Sequence, residues 1–188
     1  MHRTICDFLL DIIQNSLEAD SSTVIVHVQQ DESRCEMTVA DDGCGMDPGE
    51  LKAAGNPFYT REGKHSHRKV GLGIPFLAQT ASMTDGIFDI QSKKDFGTSV
   101  RWVLPLDHMD TPPLGDLSGT FLSALTYPGE FELTILRSAS SKGRQESYEL
   151  QRSELAEALG DLESSGSLAL LRKYITSQEQ ELHKLLNG

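Results

Sequence analysis

Asp41-Asp42-Gly43-Cys44-Gly45-Met46 sets two carboxylates at the end of a predicted strand and follows them with two closely spaced glycines. Glycine lets the backbone turn tightly and lets a flat ligand approach it. Taken alone, the stretch is an ordinary Asx-Gly turn. Its meaning depends on what surrounds it. On its N-terminal side, Cys35–Ala40 reads as a strand, and Thr23–Val28 as the strand before it, with the polar run 30–34 as the hairpin turn. Before these, residues 4–19 read as a helix with Thr4 as N-cap. Ile5, Phe8, Leu9, Ile12, Ile13 and Ser16 form its buried stripe.

Asp11, Asn15 and Glu18 share one face of that helix, beside the stripe. Their oxygens are hard ligands of the kind magnesium prefers, although such a trio alone is simply the wet side of a helix. On the C-terminal side of the glycine turn comes a short helical run near 48–54. Residues 55–70 carry Gly, Pro, Lys, Arg and two His with little apolar periodicity and read as a mobile loop. Gly71-Leu72-Gly73 then opens a helix over about 74–83, with Pro75 in its first turn. Glycines before a helix N-terminus present amide N–H groups to an anion, and the macrodipole adds attraction. Strands near 86–92 and 97–104 flank the turn 93–96, and Phe96-Gly97-Thr98 begins the second of them. The order helix, hairpin, loop, helix, hairpin predicts an α+β sandwich with helices on one sheet face.

In this order and spacing the four stretches resemble the N, G1, G2 and terminal Gly-Thr motifs of the GHKL superfamily of gyrase, heat-shock chaperone, histidine kinase and MutL. Asp11–Ala19 is similar to its N box, Asp41–Met46 to its G1 box and Gly71–Gly73 to its G2 box. Asn56–Thr60 is similar to the phenylalanine-containing segment of the histidine-kinase lid. The resemblance covers roughly residues 4–106. It implies a Bergerat-type two-layer α/β sandwich, a mixed, mostly antiparallel sheet with helices on one face, that binds ATP with Mg2+. Asn15 would coordinate the magnesium, with Glu18 and Met46 in the same nucleotide site. Asp41 would bind the adenine amine, Gly43 and Gly45 would shape the pocket floor, and Thr98 would support Asp41 or a bridging water. Gly71, Leu72 and Gly73 would approach the phosphates. Lys64, His65, His67, Arg68 and Lys69 would charge the lid, with Lys69 as the phosphate contact.

One departure bears on turnover. Family members that hydrolyse ATP carry a glutamate four residues before the magnesium-binding asparagine, as general base. Here Asp11 holds that place, one methylene shorter, so it is expected to orient water slowly or to serve the metal. Because the N box begins close to Met1, neither a helical dimerisation domain carrying a phosphoacceptor His nor self-phosphorylation is expected. His183 falls in a C-terminal helical run and reads as a surface residue.

The boundary of the ATP-binding part is expected at Asp107–Gly115, with its Pro112-Pro113. Residues 1–106 form the ATP-binding domain in this reading. Residues 107–188 form a small α/β appendage of a helix (114–125), two strands (130–138, 145–151) and helices near 153–160 and 167–187. Pro112–Asp116 also resembles stand-alone ATP-binding relatives of bacteria, some of them linked with hydrogenase and redox genes.

Composition bounds the rest. A formal net charge of -11 argues against nucleic acid or an anionic membrane surface as partner. No apolar window is long enough to span a bilayer, and no secretory signal is visible. Cys6, Cys35 and Cys44 form neither a CxxC pair nor a zinc pattern and suit reduced thiols of a cytoplasmic protein. The expected activity is that of a slow ATPase or an ATP-driven switch acting on a protein partner, possible redox or hydrogenase proteins included. A protein kinase acting in trans, like the anti-sigma serine kinases, is the alternative. A homodimer stays open as an assembly.

Overall fold

A computed structural model describes residues 3–54 and 73–188 of the chain. The expected loop over 55–70, with Lys69, Gly71 and Leu72, lies outside the described residues.

Helix α1 (Ile5–Glu18) begins where the sequence places it. Thr4 Oγ1 accepts from the Asp7 amide (3.1 Å), while Asp7 Oδ2 accepts from the Thr4 amide (2.9 Å), a reciprocal cap for two otherwise orphaned donors. The next donors, Ile5 N and Cys6 N, are taken by the carbonyls of Pro113 and Leu114, each at 2.9 Å. The proline-rich stretch between the two sequence regions is thus part of the cap of α1. Ile5, Phe8, Leu9, Ile12 and Ile13 are buried along one stripe.

Strands β1 (Thr23–Gln30) and β2 (Arg34–Asp41) alternate buried and accessible residues, as a sheet covered on one face requires. Helix α2 (Pro48–Ala54) follows β2. After it, α3 (Gly73–Met83) leads into the hairpin of β3 (Ile87–Ser92) and β4 (Thr98–Pro105). Beyond the cap segment come α4 (Leu117–Leu125), β5 (Glu132–Ser141), β6 (Arg144–Gln151), α5 (Arg152–Leu159) and α6 (Ser165–Asn187). All of the expected elements of 107–188 are present, with ends shifted by a few residues.

Among the described residues, six strands form one mixed sheet in the order β3-β4-β2-β1-β5-β6. All pairings are antiparallel except that of β1 with β5, where Val24 faces Leu133 and Val26 faces Ile135. Val24, Val26, Val28, Met37, Trp102, Leu104, Leu133 and Ile135 line the covered face and pack with the apolar stripes of α1, α3, α4 and α6. One charge is buried under that face. Arg137 on β5, with its side chain 2% exposed, pairs with Glu179 on α6 (3.2 Å) and donates to Gln30 Oε1 (2.7 Å). A buried cation needs such partners to offset lost hydration, and here they pin α6 to the sheet.

Candidate nucleotide site

The covered side of the sheet ends, at the C-terminus of β2, in the carboxylate of Asp41. Its register opposite Thr98 on β4 sets it beside the start of that strand. Oδ1 accepts from the amides of Gly43 (3.0 Å) and Thr98 (3.1 Å), and Oδ2 accepts from the hydroxyl of Ser16 on α1 (2.6 Å). Three donors from three segments therefore hold one half-buried carboxylate. A carboxylate offers about four lone-pair sites, so acceptor capacity remains for a further donor.

Asp42, the next residue, points the other way and does a different job. Its oxygens accept from the Ser22 amide (2.8 Å), the Thr23 amide (2.9 Å) and the Ser22 hydroxyl (2.6 Å), tying the β2 end to the β1 start. These donors, led by the Ser22 hydroxyl, lower its pKa below the ordinary carboxylate value. A depressed pKa contributes stability that is present above the unfolded-state pKa, near 4, and lost as pH falls through the folded value. Asp42 is exposed, so water screens part of this effect. Asp42→Asn is expected to lower stability by about 0.5 kcal/mol at pH 7 and by less at pH 3. Urea unfolding of both proteins at the two pH values measures the difference.

The glycines close the loop onto its neighbours. A Cβ on Gly43 would stand 2.8 Å from the Ala19 carbonyl, which already accepts from Cys44 N (3.0 Å) at the end of α1. Gly45 has φ +57°, and a Cβ there would meet the Lys93 carbonyl at 2.0 Å. The turn of β3–β4 answers with Asp95 N donating to Cys44 O (2.8 Å). The loop after β2 is thus clamped between α1 and that turn. Cys44 is half-buried in it, while Cys6 and Cys35 lie in the core, where loss of hydration pushes both thiols up to about 12 and keeps them protonated.

At the other end of the α1 face, Asp11 reaches the start of α3. A Cβ built on Gly73 would lie 1.5 Å from Asp11 Oδ2, so only glycine allows this approach. A carboxylate against the first turn of a helix is favoured by the dipole. Asn15, half-buried, follows Asp11 by one turn and directly precedes Ser16; Glu18, a further turn on, is exposed. Met46 is half-buried, its amide donating to Ser92 Oγ (2.9 Å).

Two anchors thus emerge from the sequence-predicted set: Asp41 with Gly43 and Thr98, and Asp11 with Gly73. Ser16 and Ser92 escaped the sequence reading as site residues. Ser16 is a small polar side chain in an otherwise apolar stripe, and that interruption was its signal.

Residues 2–108 match the sequence pattern of the family described as "Histidine kinase-, DNA gyrase B-, and HSP90-like ATPase". Sporulation kinase C of Bacillus subtilis is 32% identical over 99 residues, 52% of this chain and 22% of that protein. The non-motile and phage-resistance protein of Caulobacter vibrioides is 28% identical over 117 residues, 58% of this chain and 14% of that protein. The match thus spans about a fifth of these relatives' length or less. Among solved structures, the Aquifex aeolicus MutL ATPase domain complexed with ADP is similar in fold, with a TM-score of 0.50 and 18% identity. That similarity covers 86% of this chain and 69% of the MutL domain. The N-terminal domain of a DNA repair protein gives a TM-score of 0.51 at 10% identity, over 88% of this chain and 58% of its own. Both shares exceed the family-matched segment, so the likeness of fold runs on into the region beyond residue 108.

Proposed function

We propose, from the premise that the chain belongs to the GHKL superfamily as a histidine kinase-, DNA gyrase B- and HSP90-like ATPase domain, that it binds Mg-ATP between Asp41 and Asp11 and uses it as a slow ATPase or conformational switch. The observation that carries the reading is the ordered carboxylate of Asp41, held by Ser16, Gly43 and Thr98 with acceptor capacity to spare. Such a group suits the exocyclic amine of adenine. Gly43 and Gly45 let the loop lie close, and Gly73 opens a helix whose dipole favours phosphate.

The donors also suit magnesium. Asn15 and Asp11 supply hard oxygens one turn apart, and among the described residues no cluster of three His, Cys, Asp or Glu holds a metal without other ligands. Asn15 and Asp11 would hold the ion together with phosphate oxygens. When bound, it would neutralise triphosphate charge. Asp11 would orient the attacking water, and its short side chain is the reason slow hydrolysis is expected. Lys69, Gly71, Leu72, Glu18 and Met46 complete the proposed site.

Residues 1–106 carry the nucleotide in this reading, and residues 107–188 pass its state to a protein partner. The partner class stays as read from the sequence: a protein, redox or hydrogenase proteins included, or a second copy of the chain. Among the described residues no helix is long and apolar enough to cross a membrane. The cytoplasm is the proposed location on a separate ground, three free cysteines that suit a reducing compartment. Phosphoryl transfer to another protein is the second reading, favoured by the sequence similarity to sporulation kinase C. Titration of the chain with ATP and ADP, with magnesium and with chelator, tests the binding. Phosphate release that falls about 10-fold or more in Asp11→Asn, with ATP affinity retained, supports hydrolysis. Transfer of label from ATP to a protein, without free phosphate, supports the kinase.

A further inference from the structure

Ser92, the last residue of β3, has a hydroxyl within hydrogen-bond reach of three groups. It accepts from the Met46 amide (2.9 Å), lies 3.0 Å from the Gly97 carbonyl and lies 2.8 Å from the hydroxyl of Thr98. A serine hydroxyl has one proton, so it can donate to Gly97 or to Thr98 but not to both. The two settings give Thr98 opposite polarity. If Ser92 donates to Gly97, Thr98 must donate to Ser92, and only lone pairs are left for the pocket. If Ser92 donates to Thr98, the Thr98 proton is free. Gly97 is not stranded in that second setting, because its carbonyl also accepts from Lys93 N (3.3 Å).

Thr98 stands at the carboxylate, its amide 3.1 Å from Asp41 Oδ1. An adenine edge presents an amine donor beside a ring-nitrogen acceptor, so a site that meets the amine with Asp41 must meet the nitrogen with a donor. We infer that Ser92 is a positioning residue that donates to Thr98, turns the Thr98 hydroxyl into the donor for that ring nitrogen (directly or through one water), and holds the glycine loop at Met46. The inference rests on the nucleotide reading of the site. It assigns base selectivity to a residue that need not touch the base.

The test uses the full chain as wild type, Ser92→Ala, Ser92→Cys and Ser92→Thr. Each is titrated with ATP and with 1-deaza-ATP, which keeps the amine and replaces the neighbouring ring nitrogen by C–H. Wild type is expected to prefer ATP about 10-fold, the worth of one hydrogen bond. Ser92→Ala and Ser92→Cys should narrow that preference to about 2-fold, mainly by losing ATP affinity, and Ser92→Thr should restore it. Thiol is a weak donor of nearly the same size, so Ser92→Cys reads the same effect if Ser92→Ala does not fold. Equal loss of both ligands in Ser92→Ala and Ser92→Cys, or an unchanged preference, overturns the inference and leaves Ser92 a structural residue. Equal binding of the two ligands by wild type also overturns it, while the nucleotide reading stands. Binding of neither ligand by folded wild type removes the nucleotide reading itself.

Discussion

Asp41→Asn is expected to weaken ATP binding by about 100-fold while leaving the thermal midpoint within a few degrees of wild type. The difference between the two effects follows from which partners can adapt. Asparagine keeps one carbonyl oxygen, enough to accept from the amides of Gly43 and Thr98. Its NH2 then faces the Ser16 hydroxyl, which can rotate and accept, because a hydroxyl is donor and acceptor together. The folded protein therefore finds a satisfied arrangement. An exocyclic amine has no such freedom: it would meet a donor with a donor, and the charge that strengthened the bond is gone. Calorimetric titration beside a thermal melt reads both quantities. Wild-type affinity in folded Asp41→Asn would show that the base is not read by this carboxylate. A collapsed melting temperature would make Asp41 a structural residue.

Gly97→Ala should be the most damaging small substitution in the site. Gly97 has φ +87°, and an added Cβ would lie 1.9 Å from the Asp41 carbonyl oxygen, 2.7 Å from its carbon and 2.9 Å from Asp42 Cα. All three are backbone atoms of the facing strand end, so no rotamer change relieves the contact. The start of β4 must move from the end of β2, which breaks the Thr98–Asp41 bond as well. A destabilisation of about 3 kcal/mol or more is expected. ATP binding should be lost even under conditions where the variant remains folded. Gly143→Ala is the matched control. It shares a positive φ (+78°) but has nothing within 4 Å of the added methyl, so about 1 kcal/mol is expected from backbone conformation alone. Urea unfolding of the pair separates steric contact from φ. Equal losses would mean that the strand ends move apart easily.

Much of this was legible before any coordinates. The apolar spacing of Ile5, Phe8, Leu9, Ile12 and Ile13 marks α1, and Thr4 marks its start, because both signals act within a few residues. The strands show themselves by alternation, and Gly43, Gly45, Gly73 and Gly97 stand where backbone meets backbone or a carboxylate. The resemblance implies that Gly43, Gly45 and Gly73 make room for a ligand, and it gives Gly97 no such role. In the structure Gly43, Gly45 and Gly97 first make room for the protein's own loop and strand ends.

By itself, then, the sequence determined the elements, their order and the set of motifs, since helix period, strand period and capping are all settled by neighbours along the chain. Tertiary structure decided what lies far apart in it. It set Asp41, and not Asp42, beside the start of β4, through the register that places Asp41 opposite Thr98. It joined β5 in parallel to β1, and bound Pro113 and Leu114 to the first turn of α1. It also enlisted Ser16 and Ser92, whose hydroxyls meet partners 25 and 46 residues away. A hydroxyl can both donate and accept, and only the packed fold determines which partners far off in the chain it will meet.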